Sequence, residues 1–168
     1  MTTKDKHALI RELRAAVARE ASVLTLAARS AHEAATHEES RPENDKDTRG
    51  LEAAYLAGAQ AERARELERV ENALAFMVLR SFTDGAPIAL SALVEVELDG
   101  AHAHANARQW YFIAPVGGGM KASIDGVEVV VVTPQSPVGG ALIGRVVGDV
   151  VTLRVKLGTR EYEICSVQ

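Results

Sequence analysis

The chain is poor in cysteine and in aromatic residues: of its 168 residues one is a cysteine, Cys165, and 4% are aromatic. A single cysteine excludes an intramolecular disulfide and a zinc site of several cysteines, and it suits a reducing compartment. No uncharged apolar run reaches the roughly 18 residues of a membrane-spanning helix. The opening residues, MTTKDKHALIRELR, show no apolar secretion signal. We therefore expect a cytoplasmic protein with no membrane partner.

Positive charge is also in short supply, since 19 lysines and arginines face 23 aspartates and glutamates, a net charge of −4. A balance of this sign disfavours a protein that holds nucleic acid by bulk electrostatic attraction. Hydrophobic residues at 47% and charged residues at 25% are typical of a soluble globular protein. These proportions leave room for one ordinary domain or two small ones.

The two halves of the chain differ in composition. Residues 1–80 carry 13 of the 19 basic and 14 of the 23 acidic residues, but only two of the 13 glycines and one of the five prolines. This pattern favours solvated helices in residues 1–80 and short strands with turns in residues 81–168. We place the boundary between these two predicted domains at a turn-rich hinge around Asp84, Gly85 and Pro87.

Two helical repeats of apolar residues occur in the first half. Their members are three, four or seven residues apart: Ile10, Leu13, Val17 and Leu24, then Leu67, Val70, Leu74 and Met77. The proline-containing segment EESRPENDKDTRG separates them and should stop a helix. We expect an antiparallel helical hairpin whose arms of about 30 residues each span about 45 Å. Alanine-rich arms of this length predict a narrow hairpin that projects largely into solvent.

The second half predicts an α+β domain built on an antiparallel sheet. Alternating or continuous β-branched patterns predict five strands, in IALSALVEVELDG, RQWYFIAP, VEVVVVTP, VVTLRVKL and REYEICSV. The continuous run VEVVVV is typical of a central strand, and Gly158 and Thr159 are expected to join the last two strands as a hairpin. One short helix is expected in PVGGALIG. Gly117, Gly118 and Gly119 predict a flexible turn.

A specific succession of motifs closes the chain. A β-branched strand is followed by Ser136-Pro137, a small-residue helix at Gly140-Ala141-Leu142, then Gly144 to Gly148-Asp149, and a hairpin ending in Tyr162-Glu163-Ile164. This order over roughly 35 residues resembles the C-terminal signature of the bacterial Gre transcript-cleavage factors. The first half resembles the family more loosely, as a coiled-coil hairpin with acids before a Glu-Asn pair, here Glu43-Asn44.

The resemblance implies that one domain docks on a partner while the hairpin extends to the partner's active centre. In that family an FKBP-like C-terminal domain docks at the mouth of the RNA polymerase secondary channel, and the hairpin carries carboxylates to the active centre. There they help to hold a Mg²⁺ ion and a water, so that the polymerase cuts the 3′ end of a backtracked RNA. The chain would then be no enzyme and have no cofactor of its own. It would act as a monomer on bacterial RNA polymerase, using the polymerase's Mg²⁺.

The predicted hairpin tip, near residues 38–47, carries the candidate acids. Glu39 and Glu43 are expected closest to the polymerase metal, and the secondary candidates are Glu38, Asp45 and Asp47. Aligned on Glu43-Asn44, the position that holds an Asp in the family's cleavage-competent loops is Ser40 here. An ordinary solvated turn is the alternative interpretation of this charge. A factor that occupies the channel and inhibits the polymerase without promoting cleavage is the alternative function.

By the same resemblance, docking should use Gln135, Ser136 and Pro137. The family often has an Asp where Gln135 stands, so a salt bridge is replaced here by hydrogen bonding and apolar contact. Val138, Leu142 and Ile143 are the candidates for the apolar contact. The alternative, which we prefer for the last two, is that Pro137 starts a helix and that Leu142 and Ile143 lie in the domain core.

The remaining candidate residues give only weak indications of a function. An FKBP-like prolyl isomerase needs an aromatic-lined pocket. Tyr162 is the one aromatic residue left to line such a pocket, so the sequence disfavours this function. His102 and His104 have no third metal ligand nearby and are interpreted as an exposed loop. Cys165 is interpreted as a small buried hydrophobe rather than a nucleophile.

Overall fold

The computed structural model describes residues 3–36, 49–99, 108–124, 126–155 and 158–168. The residues in these ranges form three helices: α1 (Thr3–Thr36), α2 (Arg49–Ala75) and α3 (Pro137–Leu142). The described part of the chain also forms six strands: β1 (Leu93–Asp99), β2 (Arg108–Ile113), β3 (Lys121–Ile124), β4 (Val127–Val132), β5 (Val150–Val155) and β6 (Gly158–Val167). Within these described ranges, no helix combines the length and apolarity needed to cross a bilayer.

The chain forms two compact units. One comprises Met1–Leu13 with Ala73–Gln168, and the other comprises Arg14–Asn72. The first unit therefore contains the whole sheet together with the beginning of α1 and the end of α2. The boundary after residue 80 that the composition predicts stays a prediction.

In the unit Arg14–Asn72, the described residues form two antiparallel helical segments, as the apolar repeats predict. Small and branched side chains are buried between them: Val17, Ala21, Ala57, Ala64 and Leu67. The Arg14 guanidinium lies 2.7 Å from a Glu71 carboxylate oxygen, which joins α1 to α2. Alanine at three of the five buried positions lets the helix axes approach closely, but it provides little apolar burial for each turn.

The sheet has the order β3-β4-β2-β1-β6-β5. Its neighbours pair antiparallel, except that β2 and β4 run parallel, with Trp110 opposite Val129 and Ile113 opposite Val132. The sheet is therefore mixed within the α+β class. The parallel pair arises because β3 turns back at the sheet edge, so that β4 returns beside β2 in the same direction as β2.

Three details of the strands differ from the sequence-based expectation. The short strand β3 was not expected, because its four residues, KASI, follow the glycine turn and show little hydrophobic pattern. β4 lies next to the edge strand β3 rather than at the centre, which β2 and β1 occupy. Gly158 and Thr159 already pair with Val155 and Arg154, so they belong to β6 instead of the turn.

One large hydrophobic cluster lies on one face of the sheet. Its apolar side chains come from alternate strand positions and from α3, and include Val94, Tyr111, Ile113, Leu142 and Ile164. The neighbouring strand positions point to the other face, where Leu93, Phe112 and Val131 are fully buried. Two of the three consecutive aromatic residues of β2 are thus buried on opposite faces, as consecutive strand positions require.

Candidate docking site beside helix α3

The acids predicted for the hairpin tip fall outside the described residues. Glu38, Glu39, Glu43, Asp45 and Asp47 all belong to residues 37–48, and the predicted roles of Glu39 and Glu43 stay predictions. His102 and His104 are also outside the described ranges. Within those ranges, no group of three His, Cys, Asp or Glu side chains could hold a metal ion.

The second predicted site, at Ser136, has a well-defined geometry. Ser136 caps α3: its Oγ accepts a hydrogen bond from Gly139 N at 3.0 Å and donates one to Thr133 O at 2.8 Å. Pro137 occupies the first turn of the helix, where its missing N–H is not needed. The single hydroxyl thus fixes both the tight turn at residues 133–136 and the start of the helix.

Gly139 allows α3 to pack directly on the preceding turn. A Cβ atom at residue 139 would lie 2.1 Å from Thr133 O, a distance that no real contact tolerates. At Gly140 the nearest atom, Pro134 O, would be 3.1 Å from an added Cβ. The close packing of α3 on the turn therefore requires a glycine at residue 139. The space beside residue 140 is less restricted.

The end of α3 is tied to the chain that precedes β1. Ile88 donates its N–H to Arg145 O at 2.8 Å and accepts at its carbonyl from Gly144 N, also at 2.8 Å. A second turn follows, in which Asp149 Oδ2 accepts from Val146 N at 3.1 Å. These bonds hold the short helix and both flanking turns in one fixed arrangement on the unit that contains the sheet, which we call the sheet domain.

Most of the predicted docking residues are accessible. Gln135 and Pro137 are exposed, while Ser136 is half-buried by its capping role. Leu142 lies in the core with 1% of its surface exposed, as expected, but the expectation for Ile143 was wrong because its side chain is 37% exposed. Ile143 follows the last helical residue, so the change of backbone direction at the helix end turns its side chain outward.

Two further exposed apolar side chains near α3 are not among the docking residues that the sequence predicts. Val147 and Val150 flank the Gly148-Asp149 turn and are 47% and 55% exposed. The sequence signal was the occurrence of valines beside turn-forming residues, where a side chain has little opportunity to be buried. Together with Ile143 they add apolar surface to the segment after α3.

The chemistry of this site suits binding rather than catalysis. The Ser136 hydroxyl already serves two backbone groups, and the Gln135 amide is neutral. Among the described residues, the Gln135 side chain has no hydrogen-bond partner, which leaves it available to another molecule. An exposed amide, a proline and aliphatic side chains provide shape and hydrogen bonding without a nucleophile.

Cys165 and Tyr162 do not supply an alternative active site. Burial, with the nearby Glu97, Glu95 and Glu163 carboxylates, raises the pKa of the Cys165 thiol, so it stays protonated and unreactive. Cys165 is half-buried rather than fully buried. Tyr162 is 5% exposed within the core, where it contacts Tyr111, whose pKa burial raises to about 12. Neither tyrosine lines an open isomerase pocket.

Comparisons with known proteins agree with the resemblance read from the closing motifs. Residues 121–168, from β3 to the C-terminal residue, match the family "Transcription elongation factor, GreA/GreB, C-term". This match covers the Ser136 turn, α3 and the final hairpin, and it confirms the resemblance to the Gre factors there. No curated protein matches the chain as a significant relative.

Solved structures of GreA-like factors are also similar to this chain. GreA factor homolog 1 (Gfh1) of Thermus thermophilus is 25% identical, with 95% of this chain and 94% of that chain covered and a TM-score of 0.36. Thermus aquaticus Gfh1 is 24% identical, with 98% and 95% covered and a TM-score of 0.38. A further structure of the transcription factor Gfh1 is 27% identical, with 95% and 92% covered and a TM-score of 0.37.

Proposed function

Since residues 121–168 match the GreA/GreB C-terminal domain, we propose that this chain is a Gre-like transcription elongation factor that binds bacterial RNA polymerase at its secondary channel. The sheet domain is the docking part in this proposal, and the hairpin enters the channel. The family match over the Ser136 turn is the observation that carries it.

The geometry around α3 supports a docking role for this region. Gln135 and Pro137 are exposed on a turn that Ser136 holds from within. Because the turn is already ordered, little conformational entropy is lost when it binds. The exposed Ile143, Val147 and Val150 supply apolar area of the kind that the centre of a protein interface needs.

The proposed action on RNA depends on the acids of the hairpin tip. Glu39 and Glu43 would approach the polymerase's Mg²⁺, with Glu38, Asp45 and Asp47 as secondary candidates. Carboxylate oxygens are the ligands that Mg²⁺ prefers. In this proposal the chain orients carboxylates and has no turnover of its own, and the polymerase cuts the backtracked RNA.

A second outcome with the same partner is favoured by one position in the sequence. Ser40 stands where the family's cleavage-competent loops have an Asp. A serine hydroxyl is a weaker Mg²⁺ ligand than a carboxylate, and a small misplacement of a catalytic group greatly slows a reaction. A factor with this tip would occupy the channel and inhibit the polymerase without shortening the RNA.

Binding at the Ser136 turn is tested with Gln135→Asp, which restores the acid that the family often has there. We expect the variant to bind core RNA polymerase more tightly than the wild type, and the gain to shrink as salt is added. Thr159→Asp adds the same charge at an exposed position at the start of β6, away from the Ser136 turn, and should leave the affinity unchanged. Equal affinities for all three proteins would contradict docking through this turn.

The role of the tip is tested on backtracked elongation complexes with purified factor. Shortening of the RNA from its 3′ end indicates cleavage stimulation, whereas slower elongation with intact RNA indicates inhibition. The double variant Glu39→Ala/Glu43→Ala should abolish either effect. The control Glu33→Ala/Glu68→Ala removes two acids from α1 and α2 and should keep it. An unchanged effect of the tip variant would exclude these acids.

A further inference from the structure

The segment that follows α2 exposes apolar side chains in a regular pattern. Along residues 76–80, exposed Phe76, Val78 and Arg80 alternate with half-buried Met77 and Leu79. Alternation of this kind is typical of an extended chain that presents one side to solvent. Phe76 and Val78 are 84% and 76% exposed, the largest fractions among the exposed large hydrophobic residues. We call Phe76, Val78 and Arg80 the outward row.

The outward row is held in place at both ends. Before it, Leu74 is 1% exposed, and its carbonyl accepts a hydrogen bond from Met77 N at 3.4 Å. At its other end, both backbone groups of Arg80 are bonded: the N–H donates to Ser91 Oγ at 2.8 Å, and the carbonyl accepts from Lys6 Nζ at 2.8 Å. The segment is thus anchored by a local bond to Leu74 and by two side chains from elsewhere in the sequence, Lys6 and Ser91.

The outward row carries one positive charge, the guanidinium of Arg80. Among the described residues, no carboxylate pairs with the guanidinium of Arg80, although its backbone groups are both bonded. An exposed phenylalanine and valine beside this guanidinium make a surface that is apolar at one end and positive at the other. Such a row fits a partner surface with an apolar cleft and a carboxylate at its rim.

We propose that the outward row is a second contact with RNA polymerase, separate from the Ser136 turn, in which Phe76 and Val78 enter an apolar cleft and Arg80 pairs with a carboxylate of the polymerase. This inference rests on the proposed function. Because the segment is anchored before binding, the contact costs little ordering entropy. Phenylalanine and arginine are both enriched in interfaces, and arginine is among the residue types that often dominate the affinity.

The size of the outward row disfavours a second copy of this chain as its occupant. Three side chains bury at most a few hundred Å², since one aromatic side chain contributes roughly 150–250 Å². A stable interface needs about 800 Å² from each partner. The row therefore suits one part of a larger interface. A polymerase that also binds the Ser136 turn provides such an interface, and the net charge of −4 opposes self-association.

The inference is tested by measuring the affinity of the full chain for core RNA polymerase. In Phe76→Ser/Val78→Ser we expect the dissociation constant to rise about ten- to hundredfold, since burial of these side chains would be lost. The matched control Phe76→Leu/Val78→Ile keeps both side chains apolar and should stay near the wild type. All of these substitutions are at exposed positions, so urea unfolding should show nearly unchanged midpoints.

The charged end of the row is tested separately. Arg80→Gln keeps the backbone bonds to Lys6 and Ser91 and removes the charge, so its affinity should fall less steeply than that of the wild type between about 0.05 and 0.5 M salt. If the wild type binds polymerase and the serine variant binds equally well, this inference is wrong and the proposed function stands. If the wild type does not bind polymerase, both this inference and the proposed function are wrong. A wild-type dimer that the serine variant dissociates would also overturn the inference.

Discussion

Lys6 Nζ donates a hydrogen bond of 2.8 Å to the carbonyl of Arg80, 74 residues further along the chain. The side chain is 1% exposed, and its ammonium lies 4.8 Å from the centre of the Phe82 ring. Arg80 N–H in turn donates to the Ser91 hydroxyl. One peptide segment between α2 and the sheet is therefore fixed by a buried cation from α1 and a buried hydroxyl before β1.

Replacing Ser91 with alanine should destabilise the sheet domain. The hydroxyl is fully buried, and its loss would leave the Arg80 N–H without a partner, at a cost of about 1–3 kcal/mol in the free energy of unfolding. Ser91 also has a φ of 71°, in the left-handed region that strains residues with a Cβ. Urea unfolding monitored by Trp110 fluorescence measures the change.

The comparison with Ser91→Gly separates the two contributions. Glycine loses the same hydroxyl but tolerates the left-handed backbone, so Ser91→Gly should be more stable than Ser91→Ala by about 1 kcal/mol. Equal stability of the two variants would mean that the backbone at residue 91 carries no strain. A stability of Ser91→Ala equal to the wild type would contradict the role of the hydroxyl.

Stability should rise with pH between about 8 and 10. Burial lowers the pKa of Lys6 from 10.5 to about 8 in the folded protein. Within this window the unfolded chain keeps the Lys6 proton and the folded chain loses it, so deprotonation stabilises the fold as the pH rises. The neutral amine can still donate to Arg80 O. Urea midpoints taken at pH 7, 8, 9 and 10 measure the rise.

Lys6→Met is the control for this pH dependence. Methionine keeps most of the aliphatic volume and does not titrate, so its urea midpoint should rise less than that of the wild type over the same window. Above about pH 10 the trend should reverse, because Tyr111 keeps its proton up to a pKa of about 12 while unfolded tyrosine ionises. Parallel profiles for Lys6→Met and the wild type would show that Lys6 does not cause the rise.

Gly139→Ala should damage the candidate docking site far more than Gly140→Ala. The new Cβ at residue 139 would lie 2.1 Å from Thr133 O, which forces α3 away from the turn, whereas the contact at residue 140 is 3.1 Å. Overpacking of this kind costs about 1–3 kcal/mol. We expect Gly139→Ala to lower both the urea midpoint and the affinity for polymerase. Similar effects of the two substitutions would contradict the close packing of α3.

Elements with strong local patterns could be predicted from the sequence. Both long helices follow from apolar spacing that includes Val17 and Leu67, and α3 follows from Ser136-Pro137, whose cap and first turn need only adjacent residues. The candidate docking site follows from the resemblance of these closing residues to the Gre factors. The tip acids Glu39 and Glu43 come from the same resemblance, and their roles stay predictions.

Features that depend on distant residues could not be predicted. A lysine at residue 6 is typical of a solvated helix face, and its burial requires the Arg80 carbonyl to lie beside it. Ile143 looks like a core residue until the direction of the chain after α3 is known. Strand β3 forms because β4 provides its hydrogen-bond partners, which a four-residue pattern cannot reveal.

Gly58→Ala and Gly85→Ala should change stability in opposite directions. A Cβ at either position would meet nothing within 4 Å, so side-chain packing does not distinguish them. Gly58 lies within α2, where alanine should stabilise the helix by about 0.5–1 kcal/mol. Gly85 has a φ of 77°, and alanine there should cost about 1–2 kcal/mol. Urea unfolding of both variants measures the difference, and a shift in the same direction would show that backbone conformation does not decide the effect.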